Sequence, residues 1–119
     1  MPKPTLDLVK GTLDVLILKS LSWGAMHGYA VSRWIREVTD AALTIEEGAL
    51  YPALHRLEHR GLVESEWAIT DSNRQARFYR LTADGRRALR DEMNTWTRFT
   101  AAVGLVLSAK DRPAWARTS

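Results

Sequence analysis

The sequence predicts a mainly α-helical fold that contains one small β-hairpin and ends in a long helix. Three observations support this prediction. Apolar residues recur three or four apart in three segments before residue 60, apolar and polar residues alternate between residues 62 and 81, and a heptad pattern follows. The 119 residues, 45% of them hydrophobic, suit one folded domain with an oligomerisation element added.

Composition excludes several classes of protein. The chain has no cysteine, so disulfide scaffolds, cysteine-based zinc sites and thiol chemistry are ruled out. The longest aliphatic run covers residues 15–18, far short of the ~20 residues that span a bilayer. The N-terminus has no signal-peptide pattern. We therefore expect a cytoplasmic protein that has no membrane contact, cofactor or metal.

Two short helices are predicted before residue 40. The first covers residues 8–21, with Thr12 as a candidate N-cap. The second covers residues 28–38, and its apolar stripe includes Val31, Ile35 and Val38. Both stripes are one-sided, so each helix is expected to pack one face on a shared core.

A third helix is predicted at residues 46–60, where it would serve as the recognition helix. Its buried stripe has the spacing of four and three, and Gly61 stands where a helix C-terminus favours positive φ. Pro52 is well tolerated only in a first turn, which leaves a start of the regular helix near Gly48 or Ala49 as the alternative. The stripe comprises Leu50, Leu54 and Leu57.

Residues 62–69 and 77–81 alternate as strands, and the polar sequence Asp71-Ser72-Asn73 between them is typical of a turn. The two strands form a hairpin that must pack on the helices, because a lone hairpin is marginal in water. Three helices followed by a hairpin make a winged helix-turn-helix domain over residues 1–81, with the wing at about 70–77. Three tryptophans are expected to pack the wing and helices: Trp23, Trp34 and Trp67.

A dimerisation helix is predicted at residues 82–109, capped by Thr82. Its apolar residues follow a heptad pattern with no obvious partner in the same chain, which predicts a two-fold homodimer. Residues 110–119 are expected to form a disordered tail. The predicted dimer contacts are Leu89, Met93, Trp96, Phe99, Thr100, Val103 and Leu107.

The charge is concentrated in one part of the sequence. The net charge is +3, yet residues 73–90 alone carry +5, with six arginines and one aspartate. Arginine donates paired hydrogen bonds to phosphate, so this run favours a nucleic-acid partner. A solvated protein face remains the alternative explanation.

Four motifs, in order, resemble the PadR-like transcriptional regulators: residues 8–14, 27–29, 48–58 and 79–85. The single C-terminal helix is similar to that of the compact branch of the family, whose members lack a longer helical C-terminal domain. The resemblance implies a dimeric DNA-binding regulator, usually a repressor, with the third helix in the major groove and the wing on the backbone or minor groove. In some members, interface aromatics hold a planar effector, which makes Trp96 and Phe99 a candidate effector site; the alternative is that they fill the dimer core.

Candidate DNA contacts lie at the starts of the first two helices, on the third helix and in the wing. Arg56 has the reach to donate to guanine O6 and N7. Members of the family often carry Ser-Pro before the glycine of the third helix and Thr or Ser after it, whereas this chain has Glu46, Glu47 and Ala49. The candidates are Lys10, Thr12, His27, Gly28, Tyr29, Tyr51, His55, Arg56, His59, Asn73, Arg74 and Arg77.

Two features of the sequence point to functions other than DNA binding. The sequence His55-Arg56-Leu57-Glu58-His59 fits a short zinc-peptidase pattern, but no third ligand presents itself, so we expect no enzyme. The two glutamates at the start of the third helix would repel phosphate, which leaves a winged-helix protein-interaction module as the alternative. The sequence favours a homodimeric repressor that binds an inverted repeat in double-stranded DNA.

Overall fold

The computed structural model describes residues 11–116. Three helices, a small sheet and a long final helix follow one another, so the mainly α fold with a β-hairpin is confirmed. No helix in this part of the chain is long and apolar enough to cross a membrane. The elements are α1 (Thr12–Leu21), β1 (Met26–His27), α2 (Gly28–Val38), α3 (Glu47–His59), β2 (Val63–Ile69), β3 (Gln75–Leu81) and α4 (Ala83–Leu107).

The sheet has three antiparallel strands in the order β1-β3-β2, one more than predicted. The extra strand, β1, pairs Met26 with Tyr79 and His27 with Phe78. Two residues are too few to show an alternating pattern, which is why the sequence did not reveal it. Its effect is to tie the start of α2 to the wing, which is the hairpin β2-β3.

Within the described residues, helix α1 begins at Thr12. Gly11, at φ 90°, is the N-cap and makes no side-chain cap, so Thr12 is the first helical residue rather than the cap. The predicted extension to residue 8 and the candidate contact Lys10 lie outside the described residues. The boundaries of α2 agree with the prediction, and those of α3 differ by one residue at each end.

The core lies where α1, α2 and α3 meet the inner half of the sheet. All three predicted leucines of α3 are buried, and Ala53 joins them. Trp34 packs partly against this core. The largest fully buried side chains are Ile17, Leu18, Ser20, Leu21, Val31, Ile35, Leu50, Leu54, Leu57, Val63 and Tyr79.

Three apolar residues expected to pack are instead exposed. Val38 ends α2 beside a turn of positive φ at Asp40, and it points away from the core. Trp23 meets the edge of Trp34 but is mostly in solvent. Trp67 is 60% exposed because the outer half of the hairpin extends past the helices.

The junction between α3 and β2 is a Schellman motif. Gly61 has φ 76° and donates to the carbonyl of Glu58, and the next N–H, of Leu62, donates to Leu57 at 2.9 Å. The predicted role of Gly61 is confirmed. The motif turns the chain directly from the end of the third helix into the wing.

Helix α4 begins against this same junction. Thr82 caps it by accepting a hydrogen bond from the Gly85 N–H at 3.0 Å, as predicted. The Thr82 hydroxyl donates to the Gly61 carbonyl, and the Thr82 N–H donates to the Leu62 carbonyl. A Cβ on Gly85 would lie 1.9 Å from that Leu62 oxygen, so only glycine permits this approach.

The first half of α4 packs on its own chain, which corrects one predicted dimer contact. Leu89 is only 6% exposed and belongs to the intramolecular core, and Trp96 is partly buried against the same core. Beyond Trp96 the helix is exposed up to Leu107, which is 79% exposed. Residues 110–116 are irregular and mostly exposed, and residues 117–119 of the predicted tail lie outside the described part.

We expect Gly85→Ala to lower the free energy of unfolding by about 2–3 kcal/mol, because the methyl group must displace the Leu62 backbone. Urea denaturation followed by circular dichroism measures this change. Gly104→Ala is the matched control: it lies in the same helix with open space around its Cβ position, and it should alter stability by less than about 1 kcal/mol. Equal stability of the two variants would contradict the assigned contact.

Candidate nucleic-acid interface

An open groove of about 1080 Å³ lies between the start of α2, the outer flank of α3 and the concave face of the wing. Three arginines and one aspartate lie along it, so basic side chains outnumber acidic ones in its wall. Aromatic side chains alternate with the cations. The side chains that define it are His27, Tyr29, Arg33, Tyr51, His55, Trp67, Asp71, Arg74, Arg77 and Tyr79.

His27 shapes the end of the groove by capping α2. Its Nδ1 accepts a hydrogen bond from the Ala30 N–H at 3.3 Å. The ring stacks on Tyr29, with centroids 6.3 Å apart, and meets Phe78 of β3 edge-on at 5.2 Å. These contacts fix the first turn of α2, where the helix dipole favours an anion.

Gly28 allows α2 and α3 to approach each other. A Cβ at this position would come within 2.9 Å of the Tyr51 ring and hydroxyl. The Tyr51 side chain therefore lies across the start of α2, and it remains 39% exposed toward the groove. Tyr51 can both hold the two helices together and offer its hydroxyl to a ligand.

Arg33 lines the groove but was not among the predicted contacts. It lies one turn after Tyr29 on the same face of α2, and its Nε donates to Glu37 at 2.7 Å. This hydrogen bond raises the pKa of Arg33, which keeps the guanidinium charged. The signal was available in the sequence, since Tyr29 and Arg33 have the i, i+4 spacing of one helix face.

The tip of the wing is a tight turn in which Asn73 has φ 62°, a conformation that asparagine tolerates. Thr70 closes the turn by donating its N–H to the Arg74 carbonyl at 2.7 Å. Arg74 itself projects into the groove and has no ion-pair partner among residues 11–116. It is therefore the wing cation most ready to bind phosphate.

Arg77 has a second role as a brace between the wing and α3. Its Nε donates to the Ser65 hydroxyl at 2.8 Å, and its Nη2 lies 3.6 Å from Glu58. The guanidinium also lies 5.8 Å from the Trp67 ring centre. Burial raises the pKa of the neighbouring Tyr79 phenol, so that hydroxyl stays neutral at physiological pH.

The predicted base reader Arg56 lies on the opposite flank of α3 from the groove. Its Nη2 is 3.2 Å from Asp14 of α1, and Arg60 lies 3.8 Å from the same carboxylate. His55 lines the groove, whereas His59 is exposed further along the helix and does not. Arg56 must leave Asp14 to reach a base edge.

The structure thus gathers seven of the twelve predicted DNA contacts around one groove. The other candidates lie at the start of α1 (Thr12), on the far flank of α3 or further along it (Arg56 and His59), at the wing tip (Asn73), or outside the described part (Lys10). The seven are His27, Gly28, Tyr29, Tyr51, His55, Arg74 and Arg77.

Much of the basic run faces away from the groove. Arg80 lies on the convex face of the wing, where it pairs with Glu64 at 2.8 Å and Glu66 at 3.3 Å. Arg87 pairs with Asp84 in the first turn of α4. Of the six arginines in residues 73–90, only Arg74 and Arg77 line the groove.

Among residues 11–116, the features that suggested a zinc peptidase or a protein-interaction module do not form a corresponding site. Glu46 and Glu47 are exposed and do not line the groove, so they add no carboxylate to its wall. Glu58 of the zinc-peptidase pattern is engaged by Ser65 and Arg77. Among residues 11–116, no group of three or more His, Cys, Asp or Glu side chains is placed to hold a metal ion.

A three-helix core whose third helix and wing border a basic groove defines a winged-helix DNA-binding protein. Residues 17–91 match the transcriptional regulator PadR-like family. The chain belongs to this family. It is a DNA-binding transcriptional regulator, not an enzyme.

Relatives agree with this assignment over most of the chain. The transcriptional regulator Rv3488 of Mycobacterium tuberculosis is 42% identical over 87 residues, covering 72% of this chain and 77% of the relative. A solved transcriptional regulator from Clostridium thermocellum has TM-score 0.74 and 29% identity, covering 83% of this chain and 96% of its own. A PadR family regulator from Eggerthella lenta has TM-score 0.69 and 35% identity, covering 85% and 86%.

We expect His27→Ala to be less stable than His27→Asn by about 1 kcal/mol, because only asparagine can still accept from the Ala30 N–H. Both variants lose the same ring contacts, so their difference measures the cap alone. Urea denaturation at neutral pH provides the comparison. If alanine and asparagine prove equally destabilising, the histidine does not cap α2.

Proposed function

We propose that the protein is a homodimeric transcriptional repressor that acts in the cytoplasm and binds an inverted repeat in double-stranded DNA. In each subunit α3 enters the major groove, and the wing lies on the backbone or in the minor groove. The single observation that carries the proposal is the basic groove, which places the start of α2, α3 and Arg74 on one surface.

The exposed half of α4 supports the homodimer. An apolar stripe on an otherwise solvated helix is best buried against a second copy, which brings two identical reading surfaces together. Thr100, the polar member of the stripe, donates its hydroxyl to the Trp96 carbonyl at 2.8 Å, so it brings no unsatisfied group into an interface. The exposed stripe contains Phe99, Val103, Val106 and Leu107.

The contact between Trp96 and Phe99 supports the interpretation that both side chains fill the core of the dimer interface. Their rings meet edge-on, with centroids 6.0 Å apart and planes at 83°. Each ring therefore already has an aromatic neighbour in its own chain. A planar effector held between the two copies stays a prediction that this arrangement leaves untested.

Two-fold symmetry determines the form of the operator. Each α3 would read one half-site, and the half-sites would be centred roughly 34–36 Å apart, one turn of DNA. Occupying such a site within a promoter excludes the transcription machinery, which is the basis of repression. Selection of bound duplexes from a random pool at about 150 mM salt tests this directly, because that salt weakens purely electrostatic binding. Enrichment of an inverted repeat supports the proposal; a folded dimer that enriches no sequence refutes it.

We expect Arg74→Ala to weaken binding to the selected duplex about five- to tenfold, and to weaken binding to unrelated DNA by the same factor. The slope of log affinity against log salt should fall by about one per subunit, because one phosphate contact is lost. Fluorescence anisotropy over a salt series measures both quantities. Arg80→Ala, on the convex face of the same strand pair, should leave the affinity unchanged. Equal losses in the two variants would refute the assignment of the concave face.

We expect Val103→Glu to convert the dimer to a monomer, because it places a charge in the centre of the exposed stripe of α4. Sedimentation should then report the 13.5 kDa mass of one chain instead of twice that mass. Ala101→Glu adds the same charge on the opposite side of the helix and should remain dimeric. A dimeric Val103→Glu variant would show that the stripe is not the interface.

A further inference from the structure

Trp67 is the largest apolar side chain exposed on the concave face of the wing. In the pairing of β2 with β3 it lies opposite Arg77, and the next pair toward the core on the same face is Ser65 and Tyr79. Tyr79 is buried, whereas Trp67 is 60% exposed. The concave face therefore passes from core to solvent between these two pairs, and the indole ring lies just beyond that boundary, in the wall of the groove.

The contacts of Trp67 within its own chain leave most of the side chain available. The Arg77 guanidinium lies 5.8 Å from the ring centre, and Ser65 and Glu58 hold that guanidinium in place. Among residues 11–116 the indole N–H donates to no other group. Trp67 therefore offers the groove both an apolar ring and an unused donor.

The charges around the ring indicate which kind of molecule covers it. Arg77 lies beside it, and Arg74, which has no ion-pair partner among residues 11–116, lies nearer the tip of the wing. Asp71 is the only carboxylate among the described residues that line the groove. A polyanion that carries apolar groups between its charges complements such a surface. The DNA backbone has this character, since a deoxyribose lies between each pair of phosphates.

The position of Trp67 also matches the path of a DNA strand. The ring lies between the root of the wing beside α3, where Val63 is buried, and the polar tip at Asn73. With α3 in the major groove, the backbone strand that borders that groove passes between α3 and the wing. This strand would cross the concave face at the level of the indole ring.

We propose that Trp67 packs its indole ring against a deoxyribose of this backbone strand, between phosphates that the neighbouring arginines bind. The inference rests on the proposed function, since DNA must occupy the groove. An apolar contact releases no counterions, so it adds affinity that salt does not weaken. It adds no sequence preference, because the sugar is the same at every position.

The first test separates this contact from an ionic one. We expect Trp67→Ala to bind the selected duplex and unrelated duplexes about tenfold more weakly, the effect of uncovering about 55 Å² of apolar ring. The slope of log affinity against log salt should stay unchanged, in contrast to Arg74→Ala. Fluorescence anisotropy over a salt series measures both. Trp23→Ala is the matched control, because Trp23 is 64% exposed but does not line the groove, and it should bind as tightly as the wild type.

A conservative variant then tests the packing itself. Trp67→Phe keeps an aromatic ring but has no N–H, so we expect its affinity to stay within about threefold of the wild type. If phenylalanine loses as much affinity as alanine, the ring does not pack on the sugar. If the salt slope falls in Trp67→Ala as it does in Arg74→Ala, Trp67 acts only by positioning Arg77, and the proposal is wrong.

The indole N–H resonances provide a direct readout. The chain has five tryptophans, and the Trp67 signal of the ¹⁵N-labelled protein is the one missing from Trp67→Phe. We expect this signal to shift strongly when the selected duplex is added, while the Trp23 signal, assigned in the same way, stays in place. An unmoved Trp67 signal in the bound protein would contradict the contact. Circular dichroism checks that each variant is folded.

The outcomes distinguish this inference from the proposed function. If Trp67→Ala binds the selected duplex as tightly as the wild type, the sugar contact is wrong while the proposed function stands. If Trp67→Ala sediments as a monomer without DNA while the wild type is a dimer, the ring belongs to a protein interface and the inference is again wrong. If no duplex is selected at all, the proposed function fails and this inference fails with it.

Discussion

The backbone carbonyl of Leu62 is the point on which the arrangement of the reading elements depends. It accepts the Thr82 N–H at 3.1 Å, and it occupies the space that a side chain on Gly85 would need. The end of α3, the root of the wing and the start of α4 are thereby held together within one short junction. These contacts connect α3, the wing and α4 at the base of the groove.

A second constraint acts further out along the wing. Arg77 joins β3 to Ser65 of β2 and to Glu58 of α3, so a residue that first suggests DNA binding also maintains the groove. Arg74, nearer the tip, has no ion-pair partner among residues 11–116. The two roles follow from position: Arg77 lies close enough to α3 to reach Glu58, whereas Arg74 lies nearer the tip of the wing.

The regular spacing of apolar residues predicted the helices and strands that bury one face. Residues such as Leu50, Leu54 and Leu57 repeat with the helix, so the boundaries and inward face of α3 were accessible from the sequence. The two-residue strand β1 carries no period, and the exposure of Trp67 depends on how far the hairpin extends past the helices. The partner of Arg56 is Asp14, 42 residues away, so its direction became evident only once α1 and α3 were placed together.

The central claim is that DNA binds in the groove between α2, α3 and the concave face of the wing. Amide chemical shifts of the isotope-labelled protein, recorded with and without the selected duplex, test it most directly. The account predicts large shifts at the first turn of α2, along the exposed face of α3 and around Arg74, with little change at Glu64 and Arg80 on the convex face. Shifts concentrated on the convex face, with the groove unperturbed, would contradict it.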